Sequence, residues 1–291
     1  MLKATRRQRT LACSAEVRGI GFFHGRDVTL RFHPADANSG ILFRRIDVHG
    51  SPTVPAHIDF VVPSQRRTAI ERGDARVEMI EHVMAALSGM QIDNCLIDID
   101  GPECPGCDGS SAAFVKAFDQ AGVVDQNEDR RALVVDETIS IAESGIALMA
   151  HPPASPGRLT LSYHLDYGPD APIRPQSYCV GIAPETFRND VGPSRTFLLE
   201  TEASALRAAG IGARASESDL LIFGNNGVIG NQLRFADECA RHKVLDMVGD
   251  LALLGMDIHG FIVAHRSGHQ TNAALARRLH DRVKQKTQRD A

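Results

Sequence analysis

The chain has 291 residues, 43% of them hydrophobic and 23% charged, the balance of a folded globular protein rather than a disordered or fibrous one. That length accommodates one large domain or two of about 150 residues. A net charge of −4 argues against a nucleic-acid surface, which needs a basic excess, and against a polybasic membrane anchor.

At the N-terminus, Lys3, Arg6, Arg7 and Arg9 precede a short apolar run, Leu11 to Ala15, that stops at Glu16. The run is too short for a signal-peptide core, and the arginines read as solvated. Val28, Leu30 and Phe32 alternate with Thr29, Arg31 and His33, the period of a half-buried strand, which Pro34 ends. Val77, Ile80, Met84 and Leu87 recur at helical spacing and predict a helix over about 77–90. Leu96, Ile97 and Ile99 form a short strand closed by Gly101-Pro102. A second helix is expected over about 110–121, opened by Asp108 or Ser110. Residues 123–132 are polar and read as a linker, so the expected domains are 1–126 and 127–291.

The second half opens with strands at about 133–150, 158–167 and 177–183, interrupted by a loop with Pro169, Pro172 and Pro175. A long helix over about 236–254 ends at Gly255, a strand follows at 260–265, and an amphipathic helix runs over about 271–285. Strands followed by helices in each half predict an α+β fold. The most apolar long stretch, Val244 to Ala264, carries Asp246, Asp250 and Asp257, too costly in lipid for a transmembrane span. Six cysteines without an export signal are expected as free thiols in a cytoplasmic setting. Trp is absent and Tyr numbers three, which leaves little for stacking on single-stranded nucleic acid.

Glu238, His242, Asp246 and Asp250 follow one another at i, i+4 in the long helix, whose other faces are apolar. A polar stripe on such a helix lines something internal, and buried carboxylates beside a His must be paired or hold a cation. A solvated face with helix ion pairs is the competing reading. Glu81-His82 joins a carboxylate to a candidate ligand, the pairing a metal hydrolase uses, although His-Glu-x-x-His is absent. Ser267-Gly268-His269 lies in a polar loop after a strand. Cys104-Pro-Gly-Cys107 reads as a structural pair, with a redox pair or half a zinc site as alternatives. Gly19-Ile-Gly21 lacks the rest of a dinucleotide fingerprint.

Taken together, Glu78-Met-Ile-Glu-His82, Ala85-Ala-Leu-Ser-Gly89, Asp93-Asn94, Gly101-Pro-Glu-Cys-Pro-Gly-Cys-Asp-Gly-Ser110, Ser194-Arg-Thr-Phe197, Glu238-Cys-Ala-Arg-His-Lys-Val-Leu-Asp246 with Gly249-Asp250, and Ser267-Gly-His269 resemble the zinc-dependent UDP-3-O-acyl-N-acetylglucosamine deacetylases of lipid A biosynthesis. The segments keep the family's order, and the resemblance runs from about residue 10 to 280. It implies two similar α/β sandwich domains packed through their helices, with the active site between them. It implies hydrolysis of the N-acetyl group of the acylated UDP-sugar, with zinc held by His82, His242 and Asp246. Glu81 would be the general base and His269 the general acid oriented by Asp250, with Lys243 and Thr196 lining the reacting centre. Phe197, Asp166, Tyr167 and Lys243 would contact substrate, and an insert at about 197–231 would form an acyl passage from Leu198, Leu199, Leu206, Leu220, Leu221, Ile222, Phe223, Val228 and Ile229. The resemblance does not imply an oligomer.

Three departures are visible. Phe23 stands where the family has a His, with His24 one place later. Gly106-Cys107 replaces bulkier apolar residues, and the insert contains Gly224-Asn-Asn-Gly227. Two His and one Asp form a catalytic rather than a structural zinc set, and an acid and a base at one centre predict a bell-shaped pH profile. A different metal-dependent amide hydrolase, or a metal-free nucleotide-sugar or lipid-binding protein on the same fold, are the competing readings.

Overall fold

The computed structural model describes residues 2–289. The first half builds a five-stranded sheet in the order Ala15–Ile20, Asp27–Pro34, Cys95–Ile99, Ile41–Arg45, Thr53–Pro55. Its one parallel pairing is Ile41–Arg45 beside Cys95–Ile99. The same half contributes two helices, α1 (Glu81–Gly89) and α2 (Ala112–Ala121). Alternation along Asp27–Pro34 buries Val28, Leu30 and Phe32. Phe32 meets Phe114 and Phe118 of α2 edge to face, with centroids 6.2 and 4.9 Å apart, and this anchors α2 on the sheet.

The second half, joined by the strand Leu2–Leu11, builds a seven-stranded sheet around Asp257–His265, which pairs in parallel with Leu159–Leu165 and Val123–Val134 and antiparallel with Ile146–His151. Its helices are a short turn α3 (Pro184–Thr186), α4 (Glu200–Ala208), α5 (Glu238–Ala252) and α6 (His269–Arg289). A small separate sheet joins Phe197–Leu199, Leu221–Gly224 and Gly227–Val228. Helix α1 packs on α5, and α5 on α6 and the strand Leu159–Leu165. Helices of the two halves therefore meet between the two sheets, and one apolar core runs through the contact. This is the expected α+β architecture of two layered halves packed through their helices.

Three local expectations are corrected. The helix foreseen over 77–90 begins only at Glu81. Ala75–Glu78 is a strand, and Met79 adopts a left-handed φ of 57° that breaks any helix there. The region is buried on nearly every side, so apolar spacing could not separate strand from helix. The polar run at 123–132 is no linker but most of a twelve-residue strand, Val123–Val134, paired antiparallel with Leu2–Leu11. Its charges are cross-strand partners: Arg7 with Asp129 at 2.9 Å and Arg9 with Asp125 at 2.8 Å. Nor are all the N-terminal arginines solvated. Arg6 is largely buried and bonds both Asp93 and Asp257, and Arg130 joins the same two carboxylates.

Candidate active site

Helix α5 carries the polar stripe, and all four of its members are buried. They divide by partner. Glu238 is occupied: Arg195 donates to it from Nε at 2.8 Å and from Nη2 at 3.1 Å, which anchors the segment leading into the insert. His242 and Asp246 instead face His82 of α1. Asp246 Oδ1 lies 3.4 Å from His242 Nε2 and 3.7 Å from His82 Nε2. The helices come this close because Gly249 has no side chain: a Cβ there would lie 2.0 Å from the Glu81 carbonyl oxygen.

The protonation pattern of this trio fits a cation. His242 Nδ1 lies 3.2 Å from the Ser194 carbonyl, which can only accept, so the ring proton is on Nδ1 and Nε2 presents a lone pair to Asp246. Asp246 Oδ2 accepts from Lys243 Nζ at 2.9 Å. Its Oδ1, like His82 Nδ1, is buried without a hydrogen-bond partner. Lone pairs converging on a buried carboxylate oxygen are repulsive unless a positive charge lies among them. Burial, reinforced by His242, pushes His82 down to about 3, and burial also lowers His242; both are the neutral imidazoles a metal needs. Burial opposes ionisation of Asp246, but Lys243 and His242 hold its carboxyl well below the usual range. These three residues form a His-His-Asp group whose ligand atoms lie within 4.8 Å of one another.

Glu81 and His269 flank that group. Glu81 Oε2 accepts the Thr68 N–H at 3.0 Å, and Oε1 is 3.8 Å from His269 Nε2. His269 Nδ1 donates to Asp250 Oδ2 at 2.9 Å, and Asn272 Nδ2 donates to the same oxygen at 2.8 Å. Thr68 Oγ1 donates to Asp250 Oδ1 at 2.6 Å, so one threonine holds both carboxylates. Burial raises Glu81 to about 7, against the pull of His269. Burial disfavours the charged form of His269, but Asp250 and Glu81 outweigh it and raise the imidazole to about 10. His269 was expected in a loop; it is the first residue of α6.

A cavity of about 440 Å³ opens on these groups. Glu81, His82, His242, Lys243, Asp246 and His269 line it, together with Thr196, Phe197 and Tyr167. The Tyr167 and Phe197 rings lie 6.2 Å apart. Asp166 does not belong to the wall: its carboxylate accepts the Gly168 N–H at 2.8 Å. Asp250 stands behind His269 rather than in the wall. The insert divides by strand alternation. Leu198, Leu220 and Ile222 face the cavity with Leu206 of α4, whereas Leu221 and Phe223 join the main core and Ile229 is exposed. Gly224-Asn-Asn-Gly227 is the turn of a hairpin.

The departures have structural counterparts. Phe23 lines the cavity beneath Arg67, whose guanidinium carbon lies 3.8 Å from the ring centroid. His24 pairs with Glu78 at 3.3 Å, outside the cavity wall. Gly106 lacks a side chain because a Cβ would lie 2.2 Å from the Phe22 ring. Cys104 and Cys107 are free, and burial pushes the Cys107 thiol up to about 12 and Cys104 well above the ordinary value, the opposite of a reactive thiolate pair. Thr68 and Asn272 escaped the sequence reading. Thr68 had no pattern to mark it; Asn272, three residues after His269 on one helix, could have been found by spacing.

A sequence profile described as UDP-3-O-acyl N-acetylglycosamine deacetylase matches residues 8–281. Among curated proteins, the chain is 40% identical over 274 residues to a UDP-3-O-acyl-N-acetylglucosamine deacetylase of Anaeromyxobacter sp. (strain Fw109-5), covering 94% of this chain and 88% of that one. It is 37% identical to a protein of the same name from Chlamydia pneumoniae, covering 94% and 97%. A third, from Brucella melitensis biotype 2, is 36% identical, with 94% of each chain covered.

Proposed function

Since the chain belongs to the UDP-3-O-acyl N-acetylglycosamine deacetylase family, we propose that it hydrolyses the acetamide of UDP-3-O-acyl-N-acetylglucosamine, with zinc held by His82, His242 and Asp246. The observation that carries the zinc assignment is the buried Asp246 Oδ1, which has no hydrogen-bond partner and faces the imidazole nitrogens of both histidines. Zinc in such a site supplies a Lewis acid and brings the pKa of bound water to about 7.

The remaining steps belong to the chain's own groups. Lys243 neutralises and holds the second oxygen of Asp246, which leaves Oδ1 for the cation. Glu81, fixed by the Thr68 N–H, accepts the proton of the attacking water. Thr196, in the cavity wall, stabilises the oxyanion that develops on the acetyl carbonyl oxygen as water adds to the acetyl carbon. His269, kept charged and aligned by Asp250, donates its Nε2 proton to the departing amine. Tyr167 and Phe197 present ring surface to the nucleotide sugar, with Asp166 behind them. Leu198, Leu206, Leu220 and Ile222 receive the acyl chain. The same reading keeps two domains, with the insert at about 197–231 in the second; the expected boundary at 126/127 falls inside the strand Val123–Val134 and is not kept. It also keeps a cytoplasmic setting, with which six free thiols agree.

The test is acetate release from the acylated UDP-sugar by purified protein of known zinc content. Release that scales with zinc occupancy supports the reading. A fully loaded protein that releases no acetate, yet deacetylates a different amide, would move the substrate assignment.

A further inference from the structure

A second group repeats the His-His-Asp chemistry away from the cavity. His57, Asp59 and His280 offer ligand atoms within 4.8 Å of one another. His57 precedes the turn Ile58–Phe60, which is tied to the end of α5 by the Ile58 N–H donating to the Leu253 carbonyl at 2.8 Å. His280 comes from α6. The two imidazoles meet edge to face with centroids 4.9 Å apart. Asp59 closes the triangle: Oδ2 lies 3.5 Å from His57 Nδ1 and Oδ1 lies 3.7 Å from His280 Nε2.

Hydrogen bonding does not account for this arrangement. Both ring nitrogens of His280 are buried, and neither has a hydrogen-bond partner among the described residues. A buried imidazole always carries at least one N–H, so leaving both nitrogens unsatisfied is costly without a compensating ligand. His57 Nδ1 accepts the Asp59 N–H at the long distance of 3.3 Å, so it presents a lone pair on the side of the carboxylate. The active-site trio resembles it in one respect: there too imidazole nitrogens face a carboxylate with no hydrogen bond between the side chains. One competing cation is present. Lys284, one turn beyond His280, places Nζ 3.7 Å from Asp59 Oδ2, and its side chain is 55% exposed, free to swing into solvent.

We propose that His57, Asp59 and His280 form a second divalent-metal site, one that fastens helix α6 to the first half of the chain. Two imidazoles and one carboxylate select a borderline cation such as Zn2+ over Mg2+ or Ca2+, which require oxygen ligands. Asp59 is 53% exposed on its side chain, so water completes the coordination and the ion exchanges with solvent. His280 lies more than 200 residues from His57 and Asp59 in sequence, and a metal bound only by the folded arrangement stabilises it by mass action.

The test is a Zn2+ titration of the full chain by equilibrium dialysis, read as bound zinc per chain and as Tm. The native chain should bind two equivalents, the second raising Tm by roughly 5 °C at a hundred-fold excess over its Kd. His57→Ala and His280→Ala should each bind one equivalent and lose that rise. Asp59→Asn changes an exposed group and guards against misfolding; it should weaken the second equivalent at least about ten-fold while leaving the first intact. Lys284→Met should tighten it, since the competing ammonium is gone. Acetate release at one equivalent should be unchanged in all four variants, which separates this site from the catalytic one. A native chain that saturates at one equivalent would overturn the proposal, as would a second equivalent that survives both histidine substitutions.

Discussion

Glu81 and His269 face each other across 3.8 Å, yet the proposed chemistry asks opposite things of them: one must be ionised to accept a proton, the other charged to donate one. Glu81→Ala and His269→Ala should each lower kcat by about 10²–10⁴-fold with zinc content near normal, whereas His82→Ala, His242→Ala and Asp246→Ala should lose the metal. Zinc analysis beside steady-state kinetics of the five variants checks this, and loss of zinc from His269→Ala would make that residue a ligand. The basic limb of the pH–rate profile belongs to His269. Its imidazole is raised, so the active charged form is present at lower pH and lost as pH rises through its pKa. Asp250 supplies the largest favourable share of that rise, so Asp250→Asn should move the basic limb to lower pH. An unmoved limb would take the proton donor's role from His269. At this scale much was legible. His242 and Asp246 stand one helical turn apart, and Glu81-His82 is contiguous, so spacing alone marked them as candidates. Thr68, which holds Glu81 and Asp250 together, was not legible, because its importance lies in two partners 13 and 182 residues away.

Among the elements, the crossing of α1 and α5 positions the whole site, and Gly249 sets its distance. In Gly249→Ala the new methyl would lie 2.0 Å from the Glu81 carbonyl, which is backbone and cannot turn aside. The helices must separate, at a cost of about 1–3 kcal/mol or more, and His82 moves away from His242 and Asp246. Chemical denaturation together with metal content should show both losses at once; a stable variant with full zinc would mean that the crossing does not set the site. Helix α5 was legible because its polar stripe interrupts apolar faces. The start of α1 was not, since Val77 and Ile80 are buried whether the backbone is strand or helix. Val123–Val134 was misread because its partner strand Leu2–Leu11 lies more than a hundred residues away, and charges that pair across strands look like a solvated linker when read along one.

For the molecule as a whole, the proposed metal draws His82 from the first half and His242 and Asp246 from the second. Removing it should therefore lower Tm as well as stop turnover, and a chelated protein of unchanged Tm would show that the halves do not depend on it. The proposed acyl passage can be tested through substrate choice. If Leu198, Leu206, Leu220 and Ile222 use acyl-chain binding to position the acetamide, a substrate without the chain should lose kcat as well as affinity, and equal kcat for the two would remove the insert from catalysis. The central claim is that the His82–His242–Asp246 centre performs amide hydrolysis on the acylated UDP-sugar. The most direct measurement is acetate release by metal-stripped protein as zinc is returned. The account predicts no release from the stripped chain, recovery complete at the first equivalent, and no recovery in Asp246→Ala. Release that persists at full rate in the stripped protein, or that Asp246→Ala retains, would contradict it.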